Sequence, residues 1–334
     1  MKKVLSISVA AYNVKDYIKT ALDSYVDFID REKLEVLVIN DGSTDDTAEI
    51  VQEYVEKYPE TVRLITQKNA GPGSTVNTGI QNATGRYFRM IDGDDWVKTE
   101  ELSSYIEYLE NHDVDLVATE YVQVDDKSGE IFPMPIKDIH DKGKIYNFED
   151  IAGDLLLSMH NVTYKTEILK KHFDEIHLDN GFYTDLEYLV LPVKYIQTIV
   201  FLPNTIYMYR VSRTGQSVST ESFHRHMDMH LAVINRLENY LKNNREVLGA
   251  HKISYIQRRL VKMYLVQMRI FVTCTDQRQY KEKTKELFKH IKEFDPAMYK
   301  DFLASSGSAR LLDRTNFIMY SIVSKRDIKR NVLH

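Results

Sequence analysis

Short apolar runs alternate with amphipathic stretches through the first ninety residues, and the alternation predicts strands and helices in turn. Residues 4–10 are apolar and β-branched and read as a strand. Residues 16–28 space Tyr17, Ala21, Leu22, Tyr25 and Phe28 along one helical face. Residues 34–39 (LEVLVI) form the strongest strand pattern in the chain. They end in Asn40-Asp41-Gly42-Ser43-Thr44-Asp45, a turn-rich segment that supplies N-caps for a helix over 46–58. A third strand is predicted over 62–67, followed by Asn69-Ala70-Gly71-Pro72-Gly73-Ser74 and a short helix through Asn82. A fourth, Tyr87-Phe88-Arg89-Met90-Ile91, runs into Asp92-Gly93-Asp94-Asp95-Trp96. This order predicts an α/β fold with a parallel sheet and helices on both faces. The polar loops near Tyr12, Asp41, Asn69 and Asp92 then share one sheet edge, where open α/β sheets bind their ligands.

The acidic cluster is the most informative of these loops. Asp92, Asp94 and Asp95 repel one another unless a cation, or a donor such as a sugar hydroxyl, compensates. Oxygen-only ligands favour Mg²⁺ or Mn²⁺, and such ions usually share their coordination with substrate phosphates. An acidic turn that merely caps the next helix would carry the same letters, so the neighbours decide.

Six pieces of sequence occur in order: Ser8-Val9-Ala10-Ala11-Tyr12-Asn13, Val38-Ile39-Asn40-Asp41-Gly42-Ser43-Thr44-Asp45, Asn69-Ala70-Gly71-Pro72-Gly73, Asn77-Thr78-Gly79-Ile80, Ala83-Thr84-Gly85-Arg86-Tyr87 and Asp92-Gly93-Asp94-Asp95-Trp96. Together they resemble family 2 glycosyltransferases of the GT-A fold, which transfer a sugar from a nucleotide diphosphate donor. That fold is a Rossmann-like mixed, mostly parallel sheet flanked by helices, and the resemblance spans residues 3–125. Ala10 stands where the family often has proline, and the arginine common before the glycine of the third loop is absent from Thr75-Val76-Asn77.

The resemblance implies roles for particular residues. Tyr12, two residues past Ala10, would stack on a nucleobase, worth about 1–3 kcal/mol. Asp41, an acceptor only when ionised, would take the N3–H of uracil or thymine and finds no matching donor on cytosine, which suits a UDP-sugar. Asn69, Gly71 and Asn77 would line the donor loop. Asp92 and Gly93 would meet the ribose, and Asp94 the Mn²⁺ or Mg²⁺ that bridges the phosphates, with His224 or His226 completing the metal shell. Asp95 would contact the transferred sugar or cap the helix near Lys98, and Trp96 would lie beneath the acceptor. In Asn180-Gly181-Phe182-Tyr183-Thr184-Asp185-Leu186-Glu187, Asp185 matches the general base of inverting members. Thr184 replaces the family's usual glutamate and could instead N-cap the next helix; Glu187 is the alternative base, and a purely structural helix start is a third reading. Arg210 and Arg213 match an element that closes over the diphosphate and continues through Ser219. Three apart on a strand they face opposite ways, so only one reaches phosphate unless the loop begins at Ser212.

After residue 130 the pattern changes. Phe132-Pro133-Met134-Pro135 and residues 138–143 read as Pro-bearing loops on the acceptor side. We expect a catalytic domain over 1–220, its nucleotide-sugar half at 1–125 and its acceptor half at 126–220, then a helical region over 221–334. Helices are predicted over 247–273, 278–294 and 310–323. Hydrophobic content of 43% and charged content of 28% are ordinary for a soluble globular chain. The single Cys274 allows no internal disulfide and fits a reducing compartment. Met1-Lys2-Lys3 and the apolar run after it imitate a signal peptide, but cleavage there would remove the first strand, so none is expected. No apolar run approaches the roughly 18 residues of a membrane span.

The net charge of −5 hides an asymmetry: residues 240–334 carry 20 Lys/Arg against 9 Asp/Glu, or +11, leaving −16 on the rest. Apolar and basic residues mix over 310–329, which could lie on an anionic membrane surface, pack as an ordinary helical subdomain or form a homo-oligomer interface. No nucleic-acid module is present. The leading expectation is a cytoplasmic enzyme, membrane-peripheral at most. It would move a sugar from a UDP-sugar, with inversion, to a hydroxyl of a cell-surface glycan, teichoic-acid-like polymer or glycoconjugate. The alternatives are a non-catalytic nucleotide-sugar-binding scaffold and a nucleotidyltransferase of similar fold; the latter usually needs a Gly-rich basic loop where this chain has Ala10-Ala11-Tyr12-Asn13.

Overall fold

A computed structural model describes residues 2–136, 141–179, 181–213 and 220–330. The backbone separates into two compact units, Met1–Thr214 and Gly215–His334.

The first unit is built on one mixed sheet. Its strands are β1 (Leu5–Ala11), β2 (Leu34–Asn40), β3 (Val62–Thr66), β4 (Tyr87–Asp92), β5 (Trp96–Val97), β6 (Leu116–Asp125), β7 (Ile131–Met134), β8 (Ile145–Asn147), β9 (Val162–Lys165) and β10 (Thr198–Val211). They lie in the order β3-β2-β1-β4-β9-β6-β10-β5, with β7 on β6 and β8 on β10. The first four are mutually parallel, whereas β9 runs antiparallel to both β4 and β6. Every residue of β2 is buried, which explains why it is apolar apart from Glu35 and the terminal Asn40: a central parallel strand is covered on both faces. Helices Lys15–Val26, Thr47–Lys57 and Pro72–Asn82 connect these strands. Because β4 returns beside β1 rather than beyond β3, the strand order reverses between them. That switch point opens a crevice at their carboxyl ends, where Tyr12 follows β1 and Asp92 closes β4.

One expectation for the acceptor half needs revision. Residues 131–134, read as loop, form an edge strand on β6; Pro133 is tolerated because an edge strand can leave a donor unpaired. Residues 138–140 and Asn180 lie outside the described residues, as do residues 214–219 of the segment after Arg213.

In the second unit the helix Ala250–Thr273 is the core element, burying Tyr255, Ile256, Leu260, Tyr264, Met268 and Phe271. Helices Met227–Asn244, Gln277–Phe294, Pro296–Ser305 and Tyr320–Lys329 pack against it. The single helix predicted over 310–323 is two, Gly307–Arg314 and Tyr320–Lys329. Asn316 and Phe317 adopt positive φ between them, which no apolar periodicity announces. Among the described residues no helix is long and apolar enough to cross a membrane.

Candidate active site

The site is built from four strand ends and one facing helix. Gly93 N–H donates to the Ala10 carbonyl (2.9 Å), and a Cβ at Gly93 would come within 2.7 Å of that same oxygen. Ala10 and Gly93 are therefore the seam that lets the ends of β1 and β4 approach, with the Ala10 carbonyl already occupied. Tyr12, just beyond the seam, is 50% exposed, so its ring is available to a flat ligand.

Asp41 is 3% exposed. Its Oδ1 accepts from Gln67 Nε2 (2.8 Å) and Ala70 N–H (3.0 Å), and its Oδ2 accepts from Gly71 N–H (2.9 Å). Gly71 sits at φ 89°, a turn conformation that glycine adopts without strain. The carboxylate thus ties the third loop to the end of β2. Gln67 extends the lattice, donating to Ser74 Oγ (2.7 Å) and accepting from Thr78 (2.7 Å). Asn69 is exposed at the tip of this loop.

The acidic cluster divides into three different environments. Asp95 is 1% exposed; it accepts from Tyr207 O–H (2.7 Å) and Arg210 N–H (2.8 Å). Burial, then the charges of Asp94 and Asp92, push its carboxyl well up. The expected ligand or cap is instead a strut between the end of β4 and β10, because β10 crosses directly beside it to pair with β5. The Tyr207 hydroxyl also accepts from Asp92 N–H (3.1 Å), a role that the sequence reading of the Tyr207-Met208-Tyr209-Arg210 segment missed. Asp92 is pushed up to about 7 by burial, then by the charges of Asp94 and Asp185. Asp94 accepts from Arg213 Nε at Oδ2 (2.5 Å) and from Arg210 Nε at its backbone carbonyl (2.8 Å).

Both arginines therefore converge on Asp94, which is the alternative in which the loop begins at Ser212 and not the one in which strand alternation parts them. The reason is Ser212, whose φ of 67° turns the chain as β10 ends at Val211. Arg210 is further held by Asp126 (2.6 Å) and lies over the rings of Trp96 and Tyr17, 4.7 and 4.9 Å from their centroids. It buttresses the cluster, and it covers the Trp96 ring expected beneath an acceptor. Arg213 also lies over Tyr17 (5.2 Å).

The helix Thr184–Val190 faces these strand ends, and Asp185 stands in its first turn, half-buried. A dedicated frame holds it there. Asn77 donates to the Leu178 carbonyl and accepts from Leu178 N–H, both at 2.8 Å, so its amide clamps a peptide 101 residues away rather than facing the donor. Gly73 lies so close to that segment that a Cβ would fall 1.8 Å from the Asp179 carbonyl oxygen and 2.9 Å from the Thr184 methyl. Glu187, the alternative base, is 0% exposed and accepts from Asp179 N–H (2.9 Å). Thr184 is the first residue of the helix and not its cap, which falls to Tyr183 at φ 70°. A non-glycine residue held there costs about 1–3 kcal/mol, and such strain clusters where a neighbouring group must be aimed. Burial and the Asp185 charge push the Tyr183 hydroxyl up to about 12.

The oxygen donors suit a hard divalent ion in a limited way. Among the described residues Asp94 Oδ1 has no hydrogen-bond partner, while both oxygens of Asp95 are already engaged. Among the described residues no three His, Cys, Asp or Glu side chains gather to hold an ion, so diphosphate and water would have to complete its shell. His226, expected in that shell, belongs to the second unit, where its Nδ1 hydrogen-bonds the Ser222 carbonyl (3.0 Å) at the start of helix Met227–Asn244. His224 in the same unit meets Thr273 Oγ1 (2.9 Å).

Removing the Asn77 clamp should loosen the base segment without touching the nucleotide side. Asn77→Ala deletes two partly buried hydrogen bonds and should cost about 1–3 kcal/mol of stability. Turnover should fall while UDP affinity stays within about twofold, since no donor contact is removed. Denaturant unfolding and UDP titration of one preparation check both halves.

Comparison with known proteins identifies relatives of the chain. The Glycosyl transferase family 2 model matches residues 6–173. Glycosyltransferase GlyA of Streptococcus pneumoniae serotype 4 is 26% identical over 223 residues, 64% of this chain but only 31% of that protein. Glycosyltransferase GlyG of the same organism is 26% identical over 238 residues, covering 66% of this chain and 75% of that protein. Among solved structures, S. aureus TarS 1-349 in complex with UDP-GlcNAc superposes with a TM-score of 0.64 at 19% identity, covering 97% of this chain and 92% of that one. That likeness is one of fold, and it matches the mixed, mostly parallel sheet and the helical region after it.

Proposed function

This chain belongs to glycosyl transferase family 2, and from that premise we propose that it moves a sugar from a UDP-sugar to a hydroxyl of a cell-surface glycan, polymer or glycoconjugate, with inversion at the anomeric carbon. One observation carries the reading: Asp94 beside the end of β4 and Asp185 on the facing helix both lie near enough to the buried Asp92 for their charges to help push its carboxyl up, so the strand end and the helix present carboxylates to one site. The UDP-GlcNAc complex of the fold relative TarS supports the choice of donor class.

On this reading Tyr12 stacks on uracil. Asp41 fixes the loop of Asn69 and Gly71 over the base and keeps one Oδ2 lone pair for the uracil N3–H. Asp92 meets the ribose hydroxyls. Arg213 retains guanidinium donors beyond the one given to Asp94 and offers them to the diphosphate. A Mg²⁺ or Mn²⁺ held by Asp94 would supply Lewis-acid stabilisation of the leaving diphosphate. Asp185 takes the proton of the acceptor hydroxyl as that oxygen attacks from the face opposite the diphosphate, and Tyr183, Asn77 and Glu187 keep it aimed. The Met1–Thr214 unit holds all of these residues; a cytoplasmic, membrane-peripheral location belongs to the same proposal.

Thermal shift with a panel of nucleotide-sugars tests it. A ligand that binds only the native state adds RT ln(1 + [L]/Kd), about 2.7 kcal/mol at a hundredfold excess over Kd. UDP-sugars should raise the melting temperature and GDP- or CDP-sugars should not. The opposite pattern, or no shift with any of them, would refute the donor assignment.

A further inference from the structure

We propose that the second unit carries a docking face for an anionic lipid bilayer, formed by helix Tyr320–Lys329 and the turn before it. Ile318, Ile322 and Ile328 are 80%, 56% and 52% exposed, while Tyr320 and Val323 of the same segment are buried. Lys325, Lys329 and Arg330 are exposed among them, and no ion pair joins any of the three to a carboxylate of the described residues. Ile322, Lys325 and Lys329 follow helical spacing, so apolar and cationic groups share one stripe. The helix's only acid, Asp327, points inward: it is 3% exposed and is held by Ser308 Oγ (2.9 Å) and Arg326 Nε (3.0 Å). Asp313, nearby and exposed, accepts from the Tyr299 hydroxyl (2.5 Å).

A merely solvated face looks different, and the same unit supplies the contrast. Helix Gln277–Phe294 pairs two of its five lysines with its own acids, Lys285 with Glu282 (2.8 Å) and Lys289 with Glu293 (3.8 Å), and exposes no large aliphatic side chain. The Tyr320–Lys329 stripe has unpaired cations and large aliphatic side chains instead. Charge selects the occupant. A second copy would bring the same cations against these and be repelled. A soluble polyanion would satisfy the cations but give the isoleucines nothing to enter. An anionic bilayer serves both groups, headgroups meeting Lys325, Lys329 and Arg330 while the isoleucines reach the acyl boundary. The +11 charge of residues 240–334 adds attraction in the same direction at close approach, within about a Debye length of the surface.

The test is co-sedimentation of the full chain with phosphatidylcholine vesicles, with and without about 30% phosphatidylglycerol, a content that gives a strongly anionic surface. Binding should require phosphatidylglycerol at low salt and fall about tenfold near 0.5 M NaCl. Lys325→Glu with Lys329→Glu should weaken it about tenfold or more, and Ile318→Ser with Ile322→Ser several-fold. Both variants should keep the wild-type thermal shift with donor, which reports folding and the nucleotide site independently of this face. The proposal is overturned by absent binding at low salt, by equal binding to neutral vesicles, or by indifference to both pairs of substitutions. It is equally overturned if heparin binds through the lysines with no role for the isoleucines. The same holds if the isoleucine variants only abolish a dimer in sedimentation velocity, which would make the stripe an interface between copies.

Discussion

Asp185→Asn should lower turnover about 10²–10⁴-fold and leave UDP affinity nearly unchanged. Asparagine keeps the shape and hydrogen-bonding capacity of the side chain but cannot accept the proton released as the acceptor oxygen bonds to the sugar. The surroundings make this a clean test of chemistry. Asp185 is half-buried in the first turn of its helix, and the groups that fix that turn are Asn77, Gly73, Tyr183 and Glu187, none of which changes. Glu187→Gln separates base from frame. Glu187 holds the Asp179 peptide, so its amide should cost stability before it costs chemistry. Normal turnover in Asp185→Asn with a dead but folded Glu187→Gln would move the base two residues along.

Asp94→Ala should abolish stimulation by Mn²⁺ and reduce UDP release about 10³-fold, because the departing diphosphate loses several kcal/mol of charge compensation. The fold should survive, since Arg210 holds the backbone carbonyl of residue 94 and not its side chain. Arg213 would lose its ion-pair partner and remain free to meet phosphate, so UDP binding should weaken less than turnover. UDP release with Mn²⁺ and with EDTA, for wild type and variant, provides the measurement. Wild-type rates for Asp94→Ala would remove this carboxylate from the mechanism.

The part of the site that was legible in the sequence is the part that topology dictates. A buried, mostly apolar β2 and a β-α-β-α order force the loops after β1, β2, β3 and β4 onto one edge, so Tyr12, Asp41, Asn69 and Asp92 gather there whatever the details. What escaped was set by single backbone torsions and distant contacts. The sequence left two readings of Arg210 and Arg213 open, and only the left-handed torsion at Ser212, where the loop begins, decides that they meet. Asn77 looks like a donor residue until the peptide it clamps, far along the chain, is seen. Asp95 looks like its acidic neighbours, yet burial beside Tyr207 gives it a different task. Thr184 looks like a lost glutamate. Its methyl instead packs where Gly73 leaves room, so restoring a glutamate would force a charge into a site 6% exposed.

The configuration of the first product tests the central claim most directly. UDP-sugars such as UDP-GlcNAc carry the sugar in the α configuration, and a single displacement with Asp185 as base must invert it. Proton NMR of the anomeric coupling, followed from the earliest turnover with the donor that gives the largest thermal shift, should show a β-configured product. An α-configured product would mean two displacements or attack from the diphosphate face, and would contradict the single-base mechanism built on Asp185.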